Sequence, residues 1–214
     1  DSAGFDVTPV SGLETTESGT SASFTVALTS RPTDQVSIEF TSSDPSEGDV
    51  SSSTETLDFA STNWDDPQTV YVNDVDDDID DGDVGYTIVG TTTSNDASYD
   101  GLTPPGVSIT SIDDDTAGIT LGNYYLPGDI PINEISSSQT VTVVLDSEPI
   151  GDVDVEISSS DETEATVSPA TLTFTSSDWD SEQSFSITPV DELDVDGDQL
   201  ITVTAAGSST ADAI

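Results

Sequence analysis

The chain has no cysteine, no methionine and no histidine, and Arg31 is its single basic side chain against 44 acidic ones. Without cysteine no disulfide can staple the fold, and zinc, copper and iron–sulfur centres, which rely on thiolate or imidazole ligands, are excluded. Without histidine, cysteine or lysine there is no ordinary base to activate a serine nucleophile, so the chain reads as a non-enzyme. A formal net charge of -43 over 214 residues excludes nucleic acid and anionic membranes as partners, because polyanions repel and Arg31 alone could meet a phosphate. No apolar run approaches the roughly 18 residues of a membrane-spanning helix, so membrane insertion is not expected. The absence of a secretory leader and of any methionine leads the reading towards an excised piece of a longer extracellular or cell-surface chain. An acidic surface nearly free of lysine suits a salty medium, where screening acts over about 8 Å or less.

What the chain does have is short strings of apolar residues at every second position. Phe24, Val26 and Leu28 form one, and Val36, Ile38 and Phe40 the next; Leu57 with Phe59, Val70 with Val72, Tyr86 with Ile88 and Val107 with Ile109 follow. This period of two predicts half-buried strands separated by Ser, Thr, Gly, Asp and Pro turns. The pattern then recurs in Val141, Val143 and Leu145, in Val153, Val155 and Ile157, and onward to Ile201 and Val203. Asp1-Ser-Ala-Gly-Phe5 aligns with Asp115-Thr-Ala-Gly-Ile119, and Asn63-Trp64-Asp65 with Asp178-Trp179-Asp180, so the chain holds two tandem copies. The expected fold is all-β: two tandem Greek-key, immunoglobulin-like β-sandwiches, residues 1–114 and 115–214. The second copy stops soon after Gly197, so it is expected to lack its last strand and to leave the strand from Gln199 to Ala205 as a sheet edge. Trp64 and Trp179 are expected to plug the sandwich beneath matching turns.

Aspartate crowds the loop after the strand-like Thr69–Val72: Asp74, Asp76, Asp77, Asp78, Asp80, Asp81 and Asp83. Asp191, Glu192, Asp194, Asp196 and Asp198 repeat the element in the second copy. So many carboxylates in one loop repel one another unless a cation sits among them. Calcium is the expected ion, since it takes six to eight hard oxygens at about 2.3 to 2.6 Å from flexible acidic loops, whereas magnesium sheds its water reluctantly. Glu192 to Gly197 imitates the front of an EF-hand loop, but the twelfth position is Val203 rather than glutamate and the flanks read as strands.

Three features occur together: Glu17 before a strand, the Val75-Asp-Asp-Asp-Ile-Asp-Asp81 loop, and Ser111-Ile-Asp-Asp-Asp-Thr-Ala-Gly118 between the copies. In these the chain resembles the Calx-β family, over essentially its whole length, and the likeness is to the tandem repeats of large bacterial extracellular or surface proteins. The resemblance implies calcium at one end of each sandwich. In the first copy it implicates Glu17, Asp76, Asp77, the Ile79 carbonyl, Asp81, Asp113, Asp114 and Asp115, with a further ligand from Asp44, Glu47 or Asp49. In the second it implicates Glu134, Asp161 or Glu164, Asp191, Glu192 and Asp196. There Leu193 stands in place of an aspartate and no closing acidic triplet follows, so fewer or weaker ions are expected.

The function implied is a calcium-binding tandem module forming a calcium-rigidified stalk or adhesive segment of a long extracellular protein. Its partners would be calcium ions, neighbouring repeats of the same chain, and a protein or glycan at the cell surface. The alternative is a calcium-regulated sensor or ligand-binding module. Affinity separates the two, since sensors work near 10⁻⁷ to 10⁻⁵ M and extracellular modules at about 10⁻⁴ to 10⁻³ M.

Overall fold

The computed structural model describes residues 2–122, 137–191 and 198–209. Every element among them is a β-strand. Contacts divide the chain into two compact units, Asp1–Asp77 with Asp81–Asp114, and Asp78–Asp80 with Asp115–Ile214.

The first unit contains β1 (Phe5–Thr8), β2 (Leu13–Thr16), β3 (Ala22–Leu28), β4 (Val36–Ser42), β5 (Gly48–Val50), β6 (Thr56–Phe59), β7 (Gln68–Asp74), β8 (Val84–Ser94) and β9 (Val107–Ile112). They form two sheets, ordered β1-β3-β7-β5 and β2-β9-β8-β4-β6. The alternating apolar positions all point between them: Phe24, Val26 and Leu28 from β3 and Val70 and Val72 from β7 meet Val36, Ile38 and Phe40 from β4 and Ile88, Val107 and Ile109 from β8 and β9. Phe24 and Phe40 touch edge to face at 5.6 Å, joining the sheets. Strands β2 and β5 lack that alternation and are not foreseen as strands. They form because the first pairs parallel to β9 and the second antiparallel to β7, which satisfies their backbone groups at the sheet edges.

The second unit repeats this plan with β10 (Ile119–Gly122), β11 (Gln139–Leu145), β12 (Val153–Ser159), β13 (Ala165–Ser168), β14 (Thr171–Phe174), β15 (Gln183–Pro189) and β16 (Val203–Ser209). The sheets are β10-β11-β15-β13 and β14-β12-β16. Strand β16 lies on β12 as β8 lies on β4, Val153 facing Ser209 where Val36 faces Ser94. The expected edge strand at Gln199 to Ala205 is therefore displaced: it runs Val203–Ser209. Its far half, Ala-Gly-Ser-Ser, carries no apolar signal, and the register with β12 alone extends it. Among the described residues no strand pairs with the other side of β16. None of its side chains is buried, whereas Tyr86, Ile88 and Thr92 of β8 are.

Trp64 and Trp179 are half-buried rings packed against the two cores. Their carbonyls accept the N–H groups of Leu28 (2.8 Å) and Leu145 (3.1 Å), the same bond in both units. Because Trp64 is only half-buried, Trp64→Ala is expected to destabilise the first unit by about 2 kcal/mol, below the full-burial range. The loss should be the same in calcium and in chelator, which paired denaturant titrations would check. No helix among the described residues is long and apolar enough to cross a membrane.

Candidate metal centre

The turn after β2 brings the first carboxylate inward. Gly19 takes a positive φ of 103° and its N–H donates to the Thr16 carbonyl (2.8 Å), while Thr20 N–H donates to Thr16 Oγ1 (3.1 Å). Glu17, in this turn, is 5 % exposed although charged. Its N–H donates to the Ile112 carbonyl at the end of β9 (3.3 Å), and its Oε2 accepts the Asp114 N–H (3.3 Å). Alternation along the segment leaving β9 then makes Asp113 and Asp115 half-buried while Asp114 is exposed. Glu17, Asp113 and Asp115 each offer a carboxylate oxygen, and the three oxygens lie within 4.8 Å of one another.

The acidic loop closes over the same end. Gly82, at φ 77°, donates its N–H to Asp113 Oδ2 (2.7 Å). The turn before β5 supplies Glu47, which is 6 % exposed. Its carbonyl accepts the Val75 N–H (3.3 Å), and Asp44 shapes the turn by accepting the Ser46 N–H (3.3 Å) and hydroxyl (2.5 Å) on Oδ1. Burial, and after it the charges of Asp81, Asp44, Asp77 and Asp113, hold the Glu47 carboxyl above its ordinary range. Asp113 therefore acts electrostatically on Glu47 as well as lying beside Glu17. The one basic side chain cannot relieve them, for Arg31 follows β3 at the end remote from Glu17.

Of the residues foreseen in the first copy, Glu17, Asp113 and Asp115 are brought within reach of one ion, while the charges of Asp44, Asp77 and the exposed Asp81 act on the buried Glu47. Asp76 and Asp114 are exposed and Ile79 is half-buried. Of the three options for the further ligand, Glu47 points inward, whereas Asp49 is exposed on β5 and bonds the neighbouring Val50 N–H (2.8 Å). In the second unit the corresponding turn is preserved. Asp161 Oδ1 accepts the Thr163 N–H (2.9 Å) and hydroxyl (2.6 Å), and these bonds hold its carboxyl below the usual range. The Glu164 carbonyl accepts the Val190 N–H (2.9 Å), as that of Glu47 accepts Val75. Glu164 is only half-buried, and Asp161 and Asp191 are exposed. Glu134, Glu192 and Asp196 lie outside the described residues.

The donor set fits a hard divalent cation. Ligands on opposite sides of a calcium ion stand about 4.6 to 5.2 Å apart, twice the calcium–oxygen distance, so oxygens within 4.8 Å of one another can share one ion. Carboxylates alone, with no sulfur or nitrogen donor, match calcium chemistry. Sequence-based reading overlooked the polar layer beneath these acids, in which Thr15 Oγ1 and the Tyr86 hydroxyl meet at 3.1 Å.

Comparison with protein-family models gives no match, and comparison with curated proteins gives none. Among solved structures, the calcium binding domain CBD12 of CALX1.1 aligns with 18% identity and a TM-score of 0.38, over 85% of this chain and 74% of that one. CBD12 from CALX1.2 aligns with 15% identity and a TM-score of 0.38, over 87% and 74%. The D00-D0 domain of Intimin aligns with 11% identity and a TM-score of 0.32, over 97% and 92%. At scores of this size neither a shared site nor a shared function follows.

Proposed function

We propose that this chain is a calcium-binding tandem β-sandwich module, a structural or adhesive segment of a long extracellular protein, with no catalytic role. In this reading residues 1–114 form one Calx-β-like repeat and residues 115–214 a second. Ions are held at the acidic end of the first repeat by Glu17, Asp113 and Asp115, with Glu47, Asp77 and Asp81 beside them. The observation that carries the reading is that Glu17, 5 % exposed, places a carboxylate oxygen within 4.8 Å of oxygens from both Asp113 and Asp115. Like charges this close repel one another, and a calcium ion among them offsets that repulsion. The second repeat, whose described acids are more exposed, holds ions more weakly.

An extracellular setting agrees with the charge. Millimolar calcium saturates sites of about 10⁻⁴ to 10⁻³ M, and a chain of net charge -43 stays soluble there. Other partners in this reading are neighbouring repeats and a protein or glycan at the cell surface. Equilibrium dialysis with magnesium in large excess tests the ion assignment. Calcium is expected to stay bound; its displacement by the magnesium would contradict the reading.

A further inference from the structure

Three buried hydroxyl-bearing residues, Thr15, Tyr86 and Ser111, lie on the strands that adjoin the acidic turns of the first unit. Strands β2 and β9 run parallel with Thr15 opposite Ser111, and Ser111 in turn faces Val84 of β8. Side chains two apart share a face of a strand. Thr15 and Ser111 each precede a carboxylate of the centre by two residues, Glu17 in the turn after β2 and Asp113 in the segment leaving β9. Both are sealed, Thr15 at 0% and Ser111 at 1% exposure. Tyr86, two residues along from Val84, reaches into the same layer, and its hydroxyl lies 3.1 Å from Thr15 Oγ1.

The phenol also touches the other acid-bearing turn. A Cβ built on Gly48 would come within 2.2 Å of the Tyr86 oxygen, so any other residue after Glu47 would have to displace the Tyr86 ring. One hydroxyl therefore abuts both β2, which leads to Glu17, and the backbone next to Glu47. The Ser111 Oγ is buried and, like Thr92 Oγ1 on β8, has no hydrogen-bond partner among the described residues. A sealed hydroxyl without a partner is an unfavourable arrangement, and Ser111 is the one that stands two residues from an acid of the centre.

We propose that Thr15, Tyr86 and Ser111 are positioning residues for the carboxylates above them: Tyr86 sets the spacing of the Glu17 and Glu47 arms, and the Ser111 hydroxyl donates to a carboxylate oxygen of the Glu17–Asp113 pair once a cation draws that pair together. The inference rests on the calcium reading and adds to it a supporting layer that orients the ligands. Groups of this kind fix ligand orientation in metal sites generally, and their loss typically costs about 10- to 100-fold in affinity.

Calcium titrations of the full chain with Ser111→Ala, Tyr86→Phe, Thr15→Val and Thr15→Ser, each paired with a melting curve in chelator, test the proposal. Ser111→Ala is the sharpest, because its two effects have opposite sign. Removing the orphaned hydroxyl is expected to raise the melting temperature in chelator while weakening calcium binding about tenfold. Tyr86→Phe and Thr15→Val are expected to weaken binding by about as much, and Thr15→Ser, which keeps the hydroxyl, to restore it. The calcium-induced change in the tyrosine near-ultraviolet circular dichroism should vanish in Tyr86→Phe. Wild-type calcium affinity in Ser111→Ala together with Tyr86→Phe would overturn the proposal while leaving the calcium reading standing. A wild-type chain that binds no calcium would sink both.

Discussion

Calcium at about a hundredfold above its dissociation constant is expected to raise the melting temperature of the first unit by about 10 to 20 °C relative to chelator. One site that binds only the folded state contributes about 2.7 kcal/mol at that concentration. For a domain of roughly 100 residues each kcal/mol moves the transition by about 4 to 8 °C. The second unit, with Asp161 and Asp191 exposed, is expected to respond less. The pH dependence in chelator has a definite sign. Glu47 is held above its ordinary value of 4.5 in the fold, so above that value the unfolded chain binds fewer protons than the native one. Stability in chelator therefore falls as pH rises from 4.5 through the raised value. Calcium, which prefers the ionised ligand, opposes the fall. Scanning calorimetry across pH, with and without calcium, checks both signs; curves indifferent to chelator would count against the ion assignment.

Glu17→Gln is expected to lower calcium affinity by on the order of a hundredfold, since charge count at a flexible oxygen site sets its strength. The same change should stabilise the chain in chelator. Glu17 is 5 % exposed and sits within 4.8 Å of two like-charged groups, so neutralising it relieves repulsion and desolvation together. The amide keeps the size of the carboxylate and leaves packing intact. A structural role for Glu17 predicts the reverse in chelator, a lower melting temperature. Two melting curves and two titrations therefore decide between an ion ligand and a packing residue.

Much of the fold was legible because the core strands carry their own signal. Phe24, Val26 and Leu28 alternate with polar residues, and all three are buried as that alternation demands. Leu13–Thr16 and Gly48–Val50 carry no such signal; each becomes a strand only because a partner distant in the chain offers its edge. Strand β16 was placed too early because its apolar residues cluster at its start, while small residues carry the pairing through Ser209.

The acids were legible as types, since an aspartate-rich loop points to a hard cation wherever it lies. Which acids converge was not, because convergence depends on alternation: Asp113 and Asp115 turn inward and Asp114 outward. The layer below was hidden altogether. Thr15, Tyr86 and Ser111 read as ordinary strand residues, and only the parallel pairing of β2 with β9 sets Thr15 opposite Ser111.

Isothermal titration of the full chain with calcium, beside the Glu17→Gln variant, tests the central claim most directly. The account predicts saturable binding with the first sites near 10⁻⁴ to 10⁻³ M, roughly the range of extracellular modules, and a large loss in the variant. No saturable heat up to about ten times that range, or equal affinity in the two proteins, would contradict it.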